Sequence, residues 1–241
     1  MSKVLAVVTA RSGSKGLADK NILSVHGKPL IGHTIDAALG SGIFNTVHVS
    51  TDSERYAEIS RNLGADVPFL RSAENSTDSA SSWDVVREVI ERYRGEGKFF
   101  DVCVLLQPTS PLRTSEDIKA AFELYVEKNA KSVTSVCEVE HPIQWCFELG
   151  ADGSMDSFAN SPYKKCRRQL LAKNYQLNGA IYITSCENIL SSDFDFYAER
   201  CYAYVMPHER SLDIDDDVDL AIADLMMKLR ENKNYKKHGC R

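Results

Sequence analysis

Short apolar runs alternate with amphipathic segments along most of the chain. The apolar runs are predicted as strands, the third of them the weakest, at residues 4–8, 46–50, 67–70, 102–106, 132–139, 179–184 and 202–205. Segments with apolar positions at helical spacing are predicted as helices at residues 29–39, 53–63, 81–94, 114 onwards and 218–230. This alternation is typical of an α/β fold with a mostly parallel, Rossmann-like sheet.

Three loops directly follow predicted strands, at residues 9–21, 50–52 and 107–113. In mostly parallel sheets, ligands bind beyond the carboxyl ends of the strands. We therefore expect these loops to lie together on one rim of the sheet and to form the functional site.

The first of these loops, ARSGSKGLADKN, combines glycines with cations and hydrogen-bond donors. The glycines let the backbone turn and approach an anion closely. The charged and donor side chains are Arg11, Ser12, Ser14, Lys15, Lys20 and Asn21. Neither the P-loop pattern nor the dinucleotide-binding pattern fits the loop. It indicates a phosphate-binding loop, and a solvated basic turn is the alternative.

An acidic segment, SLDIDDDVD, is the second stretch with candidate chemistry. In an extended backbone Asp213 and Asp215 point the same way, while Ile214 points into the core. Adjacent carboxylates repel each other unless a cation lies between them, so this pair is a candidate Mg²⁺ site. Asp216 and Asp217 are better explained as residues that stabilise the start of a helix. A cationic loop and a metal-binding carboxylate pair together suit a nucleoside triphosphate.

The helical and strand patterns both stop between residues 140 and 174. A run of this length without regular structure is usually functional or an interface. We therefore interpret 140–174 as an insertion, either a lid or a dimerisation arm, within one domain formed by residues 1–139 and 175–241.

Composition excludes several classes of function. The chain has 241 residues, of which 43% are hydrophobic and 26% charged, as in ordinary soluble domains. A net charge of -5 gives no basic surface for nucleic acid, and no apolar run is long enough to span a membrane. No signal peptide is predicted, and the seven scattered cysteines contain no C-x-x-C pair, so a reduced, cytoplasmic protein is expected.

Four segments occur in order along the chain: ARSGSKGLADKN, LLQPTSPLR, RQLLAKNYQLNGAIYI and SLDIDDDVDL. Together they resemble the CMP-sialic acid synthetases, or acylneuraminate cytidylyltransferases, over essentially the whole chain. The resemblance implies a three-layer nucleotidyltransferase fold and a homodimer built through the insertion. It also implies Mg²⁺-dependent reaction of CTP with an acidic nine-carbon 2-keto sugar, most simply N-acetylneuraminate, to give CMP-sugar and pyrophosphate.

The resemblance also implies roles for individual residues. The catalytic residues would be Arg11, Lys20, Asp213 and Asp215, of which the two aspartates would also hold Mg²⁺. The substrate-binding residues would be Arg11, Asn21, Ser81, Ser82, Gln107, Arg168, Gln176, Asn178 and Tyr182. Asp215 or a water molecule would accept the proton of the attacking sugar hydroxyl. For Tyr182 a place in the core is an equal alternative, and Arg113 is expected to pair with a carboxylate.

Two positions depart from the family pattern. Gln144 and Gln176 stand where the sialate enzymes carry cations in the part that holds the sugar. The nucleotide chemistry is unaffected by this change, but a related nonulosonate such as legionaminate becomes an alternative substrate.

Two other classes of protein also fit some of these residues. In a metal-dependent glycosyltransferase, Asp213-Ile214-Asp215 would be the D-x-D motif, but a nucleotide-sugar donor needs less cationic help than the first loop provides. A non-catalytic nucleotide sensor would have no need for both the loop and the acidic pair.

Overall fold

The computed structural model describes residues 2–13 and 16–231, so Ser14 and Lys15 of the cationic loop lie outside the described residues. The strands are β1 (Val4–Thr9), β2 (Ser24–Val25), β3 (Lys28–Pro29), β4 (Thr46–Ser50), β5 (Val102–Leu106), β6 (Ser132–Glu138), β7 (Tyr175–Ser185) and β8 (Cys201–Val205). The α-helices are α1 (Leu30–Ser41), α2 (Glu54–Asn62), α3 (Ser82–Gly95), α4 (Ser115–Glu127), α5 (Asp156–Ala159), α6 (Cys186–Leu190) and α7 (Asp217–Glu231).

Strand β1 shows how the sequence pattern becomes two layers of helices around a sheet. Leu5 and Val7 pack with α3 and α6 on one face of the sheet. Val4, Ala6 and Val8 pack with α1, α2 and α4 on the other face. Successive side chains of a strand point to opposite faces, so all five residues are buried. The predicted three-layer arrangement is confirmed.

The main sheet has six strands in the order β4-β1-β5-β7-β6-β8. Strand β1 pairs in parallel with β4 and β5, and β6 pairs in parallel with β8, whereas β7 is antiparallel to both of its neighbours. Five strands therefore run in one direction, which confirms the mostly parallel sheet. Because β7 is reversed, its first residues lie at the rim where the other strands end.

The helix boundaries follow local signals in the sequence. Thr114 and Asp117 form the predicted capping box, in which each side chain accepts a hydrogen bond from the other residue's backbone N–H. Ser81 caps α3 by accepting from the backbone N–H of Trp83. Gly42 ends α1 with a φ of 67°, which glycine adopts without strain. The predicted helices are present, with small shifts at their ends.

The weak strand predicted at residues 67–70 is wrong. Within the described chain this segment forms no ladder, and a single parallel bridge joins Asp66 to β4. Pro68 follows, and its missing N–H cannot continue a ladder. The backbone N–H of Arg71 instead donates to the carbonyl oxygen of Thr51 at 2.8 Å, which directs the segment across the end of β4.

Helix α7 packs against the hairpin β2–β3, which the sequence pattern did not predict because each strand has only two residues. His26 and Gly27 form the hairpin turn with φ values of 51° and 75°. Ile214, just before α7, is fully buried in a cluster with Val25 of the hairpin and Met227 of the helix. The expectation that Ile214 enters the core is confirmed. Because Ile214 lies between Asp213 and Asp215, its burial anchors both acidic residues.

Residues 140–174 contain only short helical turns, at Ile143–Trp145, Asp156–Ala159 and Arg168–Leu170. The segment begins just after β6 and ends just before β7, close to its predicted limits. Its role as a lid or dimerisation arm, and the rest of the chain as one catalytic domain, stay predictions.

Two expectations from composition bear on the described residues. The six cysteines among them are all unpaired. None of the helices in residues 2–13 and 16–231 combines the length and the apolar character that crossing a bilayer would require.

A buried ion pair joins the start of α4 to the segment that follows β8. Asp117 is 1% exposed and accepts from Arg210 Nε and Nη2, both at 2.8 Å, and from Tyr204 Oη at 3.1 Å. Burial alone would raise the pKa of Asp117, but the hydrogen bonds from Arg210 and Thr114 outweigh it and hold this pKa below its usual value. The carboxylate therefore stabilises the fold in its ionised form.

We expect Asp117→Asn to lower the free energy of unfolding by about 2 kcal/mol at neutral pH, because charged hydrogen bonds are lost from a buried site. The pKa of Asp117 is lower in the folded state than in the unfolded state. Its contribution to stability is therefore complete above the unfolded-state pKa of ~4, and it is lost as the pH falls through the folded-state pKa. Urea unfolding from pH 7 to pH 3 measures this difference. Glu123→Gln, on an exposed position of the same helix, is the control. Equal stability of wild type and Asp117→Asn at pH 7 would contradict the assignment.

Candidate active site

Two clefts open side by side at the rim of the sheet. The cationic cleft has a volume of about 400 Å³, and its lining includes Arg11, Lys20, Asn21, Arg71, Asn75 and Ser82. The mixed cleft has a volume of about 610 Å³, and its lining includes Leu112, Gln176, Asn178, Tyr182, Leu212, Asp213, Ile222 and Met226. Gln107 lines both, so the loop after β5 forms the wall between them.

The loop after β1 supplies one side of the cationic cleft, as expected from the sequence. Arg11 Nη1 donates to Asp78 Oδ1 at 2.5 Å across the cleft opening. Asn21 is buried and donates from Nδ2 to the carbonyl oxygen of Arg11 at 3.1 Å, which fixes the turn of the loop. Lys20 Nζ donates to the carbonyl oxygen of Ile214 at 2.6 Å. Arg11 and Lys20 therefore both line the cleft, as predicted, and Lys20 also contacts the acidic segment.

The cationic cleft contains a further cation that the sequence did not reveal. Arg71 donates from Nε to Ser50 Oγ at 3.0 Å and from Nη2 to the carbonyl oxygen of Ser50 at 2.6 Å. Burial lowers the pKa of Arg71 to about 10, which still leaves the guanidinium charged at neutral pH. Only a weak indication of this role is present in the sequence: Arg71 directly follows the predicted strand at residues 67–70, which a proline interrupts.

The two serines predicted to contact the nucleotide have different positions. Ser82 lines the cationic cleft. Ser81 is exposed, and its side chain caps α3 instead. Of this pair, only Ser82 is placed to contact a ligand in the cleft.

The clefts meet where β5, β7 and the acidic segment come together. Gly179, in β7, has a φ of 72°, and a Cβ added there would lie 3.1 Å from Gln107 Oε1 and 3.8 Å from Asp213 Oδ2. Only glycine adopts this conformation easily and leaves this space open. The backbone N–H of Ile214 donates to the carbonyl oxygen of Thr109 at 2.8 Å, which ties the acidic segment to the same wall.

The acidic pair lies beside Lys20. Burial raises the pKa of Asp213, and the nearby Asp215 and Asp219 raise it further, while Thr109 and Lys20 act in the opposite direction. Lys20 Nζ lies 3.5 Å from Asp215 Oδ1. The repulsion at Asp213 is the condition that a bound divalent cation would relieve.

The donor set at this position suits Mg²⁺. The ion is usually held by one or two carboxylates, with waters and substrate phosphate oxygens completing its shell. Within the described residues, no group of three or more histidine, cysteine or acidic side chains forms a complete metal site. Asp213 and Asp215 could supply one or two carboxylate ligands of this kind.

The predicted sugar-binding residues of β7 lie at the mixed cleft, but they differ in what they can offer. Tyr182 lines the cleft and also packs edge-on against Trp83, and burial raises its pKa to about 12. Gln176 lines the cleft and donates weakly to Cys137 Sγ at 3.7 Å. Asn178 is buried: it accepts from Ser135 Oγ at 2.6 Å and donates to Ser211 Oγ at 2.9 Å. Its amide therefore holds the wall of this cleft together, and its role in binding a ligand stays a prediction.

Arg168 is not brought to this cleft in the single chain. It lies in the short turn Arg168–Leu170, beside Glu138 and Val139, on the side of the insertion. Gln144, the other departure from the family pattern, accepts from Asn174 Nδ2 at 3.5 Å within the same region.

The expectation that Arg113 pairs with a carboxylate is wrong. Its guanidinium is buried and donates to the carbonyl oxygens of Gln107 at 3.1 Å and Ala180 at 2.8 Å, and to Thr34 Oγ1 at 2.7 Å. Burial lowers its pKa to about 9, so the side chain remains protonated at pH 7. Arg113 thus positions the wall between the clefts from within the core.

Comparison with known proteins gives the family. The family model described as "Cytidylyltransferase" matches residues 5–217. The chain belongs to the cytidylyltransferase family. This confirms the family resemblance predicted from the four segments.

Individual relatives agree with this assignment. An N-acylneuraminate cytidylyltransferase of Streptococcus agalactiae is 42% identical over 98% of this chain, although the chain spans only 58% of that longer protein. A CMP-N,N'-diacetyllegionaminic acid synthase of Legionella pneumophila is 36% identical over 95% of this chain and 98% of its own length. A solved structure of CMP:2-keto-3-deoxy-manno-octonic acid synthetase complexed with CTP has a TM-score of 0.70, with 19% identity over 95% of this chain and all of that one. That likeness confirms the fold.

We expect Lys20→Ala to weaken CTP binding about tenfold or more, because a charged hydrogen bond to a ligand contributes about 1.5–3 kcal/mol. Turnover should fall as well, because charge on the phosphates grows towards the transition state. Titration calorimetry with CTP measures the affinity. Lys28→Ala is the control, since Lys28 pairs with Asp36 on the surface. Unchanged CTP affinity in Lys20→Ala would contradict a phosphate-binding loop and would favour the alternative, a solvated basic turn.

Proposed function

We propose that this cytidylyltransferase joins CTP to a nonulosonic acid of the sialic type, giving the CMP-sugar and pyrophosphate. The observation that carries the proposal is the juxtaposition of a cationic cleft and a mixed cleft at Gln107 and Asp213. CTP occupies the cationic cleft, and the sugar occupies the mixed cleft. N-acetylneuraminate is the expected sugar.

The cationic cleft binds the triphosphate through Arg11, Lys20 and Arg71. In the reaction, the anomeric hydroxyl of the sugar attacks the α-phosphorus in line, and the bond to the pyrophosphate oxygen breaks. The cations stabilise the charge that develops on the leaving pyrophosphate. A positioned triphosphate and a positioned hydroxyl also avoid the entropy cost of bringing the two reactants together.

The acidic pair supplies the other half of the chemistry. Asp213 and Asp215 would hold Mg²⁺, which would act as a Lewis acid on the α-phosphate and would lower the pKa of the attacking hydroxyl. Asp215, or a water molecule that it holds, accepts the hydroxyl proton. Lys20 donates to the carbonyl oxygen of Ile214 and so fixes the triphosphate-binding loop relative to the acidic pair.

A second candidate substrate, a di-N-acylated nonulosonate such as legionaminate, is favoured by the lining of the mixed cleft. One side of that cleft is apolar, formed by Leu112, Leu212, Ile222 and Met226. Gln176 offers a neutral amide, which can both donate to and accept from an N-acyl group. An additional acyl group suits such a lining better than a chain of free hydroxyls does.

The homodimer is part of the same proposal. Large apolar side chains remain exposed on the insertion and on neighbouring strands, among them Phe147, Leu149, Leu170, Tyr175, Leu177 and Val205. Exposed apolar surface of this extent is typical of an interaction site. Arg168 lies on this face, so a second copy would cover it. A cytoplasmic location is also retained, since unpaired cysteines suit a reducing compartment.

Pyrophosphate release from CTP, Mg²⁺ and a panel of keto-acid sugars tests the activity. We expect Asp213→Asn and Asp215→Asn each to reduce turnover at least about a hundredfold, because each removes ligand charge from the metal. Their circular dichroism should match that of the wild type, since both side chains reach solvent. Near-wild-type turnover in either variant would contradict the role of that residue.

The sugar panel separates the alternatives. Higher kcat/KM for N-acetylneuraminate or for legionaminate identifies the preferred substrate. Higher kcat/KM for the eight-carbon keto-acid sugar of lipopolysaccharide would contradict the nonulosonate assignment. Release of nucleoside diphosphate from a nucleotide-sugar would indicate the glycosyltransferase instead, and CTP binding without turnover would indicate a sensor.

We expect the protein to be a dimer at micromolar concentration by light scattering, and Leu170→Asp to produce monomer. The leucine is 78% exposed on the insertion, where a charge would be buried without a partner in the interface. Phe99→Asp is the matched control, because Phe99 is 59% exposed in a loop outside the insertion. A wild-type monomer would remove the dimerisation arm from the proposal.

A further inference from the structure

The segment between α2 and α3 brings Arg71 and Asn75 to the cationic cleft. Its regular structure consists of the single helical turn Glu74–Ser76. Short, irregular segments order poorly unless other groups hold them. The positions of Arg71 and Asn75 in the cleft therefore depend on contacts that the segment makes outside the cleft.

Those contacts converge on one carboxylate of α3. Glu88 Oε1 accepts from the backbone N–H of Ser72 at 2.9 Å, and Oε2 accepts from Ser72 Oγ at 2.8 Å. Oε2 also accepts from Asn75 Nδ2 at 2.6 Å. Both carboxylate oxygens of Glu88, which is 13% exposed, are thus used to hold the segment.

Arg92, one turn further along α3, reinforces this arrangement. Its guanidinium lies 2.9 Å from Glu88 Oε1, donates to the carbonyl oxygen of Leu70 at 2.9 Å, and lies 4.9 Å from the centre of the Phe69 ring. The segment is therefore held by charged groups on both sides of Arg71.

The carboxylate of Glu88 also fixes which atom Asn75 can offer to a ligand. An ionised carboxylate only accepts hydrogen bonds, so Asn75 must turn its NH₂ group towards Glu88. Its amide oxygen is then the atom that remains to accept from a hydroxyl or amino group of a nucleoside. A neutral glutamine at position 88 could donate, and it would allow the amide of Asn75 to reverse.

We propose that Glu88 is a positioning residue for nucleotide binding: it holds Ser72 and Asn75 so that Arg71 and the amide oxygen of Asn75 face the cationic cleft. This inference rests on the proposed binding of CTP in that cleft. Glu88 acts through these residues and is itself outside the cleft lining.

The ionisation of Glu88 supports this role. Burial alone would raise its pKa, but the hydrogen bonds from Asn75 and Ser72 and the charge of Arg92 outweigh burial and hold its pKa below the usual value. The side chain is therefore a fixed acceptor at neutral pH.

Calorimetric titration with CTP, followed by steady-state kinetics, tests the inference. In Glu88→Gln we expect the Kd and KM for CTP to rise about tenfold, which corresponds to the loss of one charged hydrogen bond. The KM for the sugar should stay within about twofold of the wild type, because the mixed cleft does not contact the segment. A merely structural role would lower the melting temperature and the active fraction but leave both KM values unchanged.

Ser72→Ala removes one donor to the same carboxylate and keeps Glu88, so it decides the question if Glu88→Gln does not fold. It should raise the Kd for CTP several-fold in the same direction. Glu91→Gln, on an exposed position of the same helix, should bind CTP like the wild type. Failure of the wild type to bind CTP would overturn the proposed function. CTP binding by the wild type, with equal affinity in Glu88→Gln or, if that does not fold, in Ser72→Ala, would overturn the role of Glu88.

Discussion

The arrangement of the site depends on one buried guanidinium that forms no direct ion pair within residues 2–13 and 16–231. Arg113 donates to carbonyl oxygens of Gln107 and Ala180 and to the hydroxyl of Thr34, so it links the loop after β5, the reversed strand β7 and helix α1. A buried charge is costly unless its hydrogen bonds are made. Movement of any of the three elements would remove hydrogen bonds that Nη1 and Nη2 of this buried charge make. The wall between the two clefts is therefore held in place by the core.

The reversed direction of β7 explains why one rim of the sheet carries two clefts. The five parallel strands deliver loops from their carboxyl ends, as in other open α/β sheets. Strand β7 brings its first residues to the same rim, and Gly179 leaves room beside Gln107 and Asp213. A sixth parallel strand would have presented its last residues there, and the wall of the mixed cleft would have come from elsewhere in the chain.

Sequence reasoning succeeded where the signal is local. The capping box at Thr114 and Asp117 and the burial of Ile214 follow from spacing within a few residues. It could not predict the surroundings of a side chain whose partners are distant in sequence. The amide of Asn178 bonds to Ser135 and Ser211, which belong to segments far along the chain. Arg71, Arg113 and Arg168 likewise differ only in surroundings that tertiary structure creates.

The site presents a cationic cleft although the chain has a net charge of -5. Arg11, Lys20 and Arg71 line this cleft, and backbone carbonyl oxygens, rather than carboxylates alone, hold Lys20 and Arg71. A carbonyl orients a cation without neutralising it, so the positive charge remains available to phosphate. The carboxylate of Asp213 lines the neighbouring mixed cleft, and Asp215 lies 3.5 Å from Lys20 Nζ, so the acidic pair borders the cationic cleft at Lys20. A triphosphate held by these cations would then lie close to the carboxylates that would hold its metal ion.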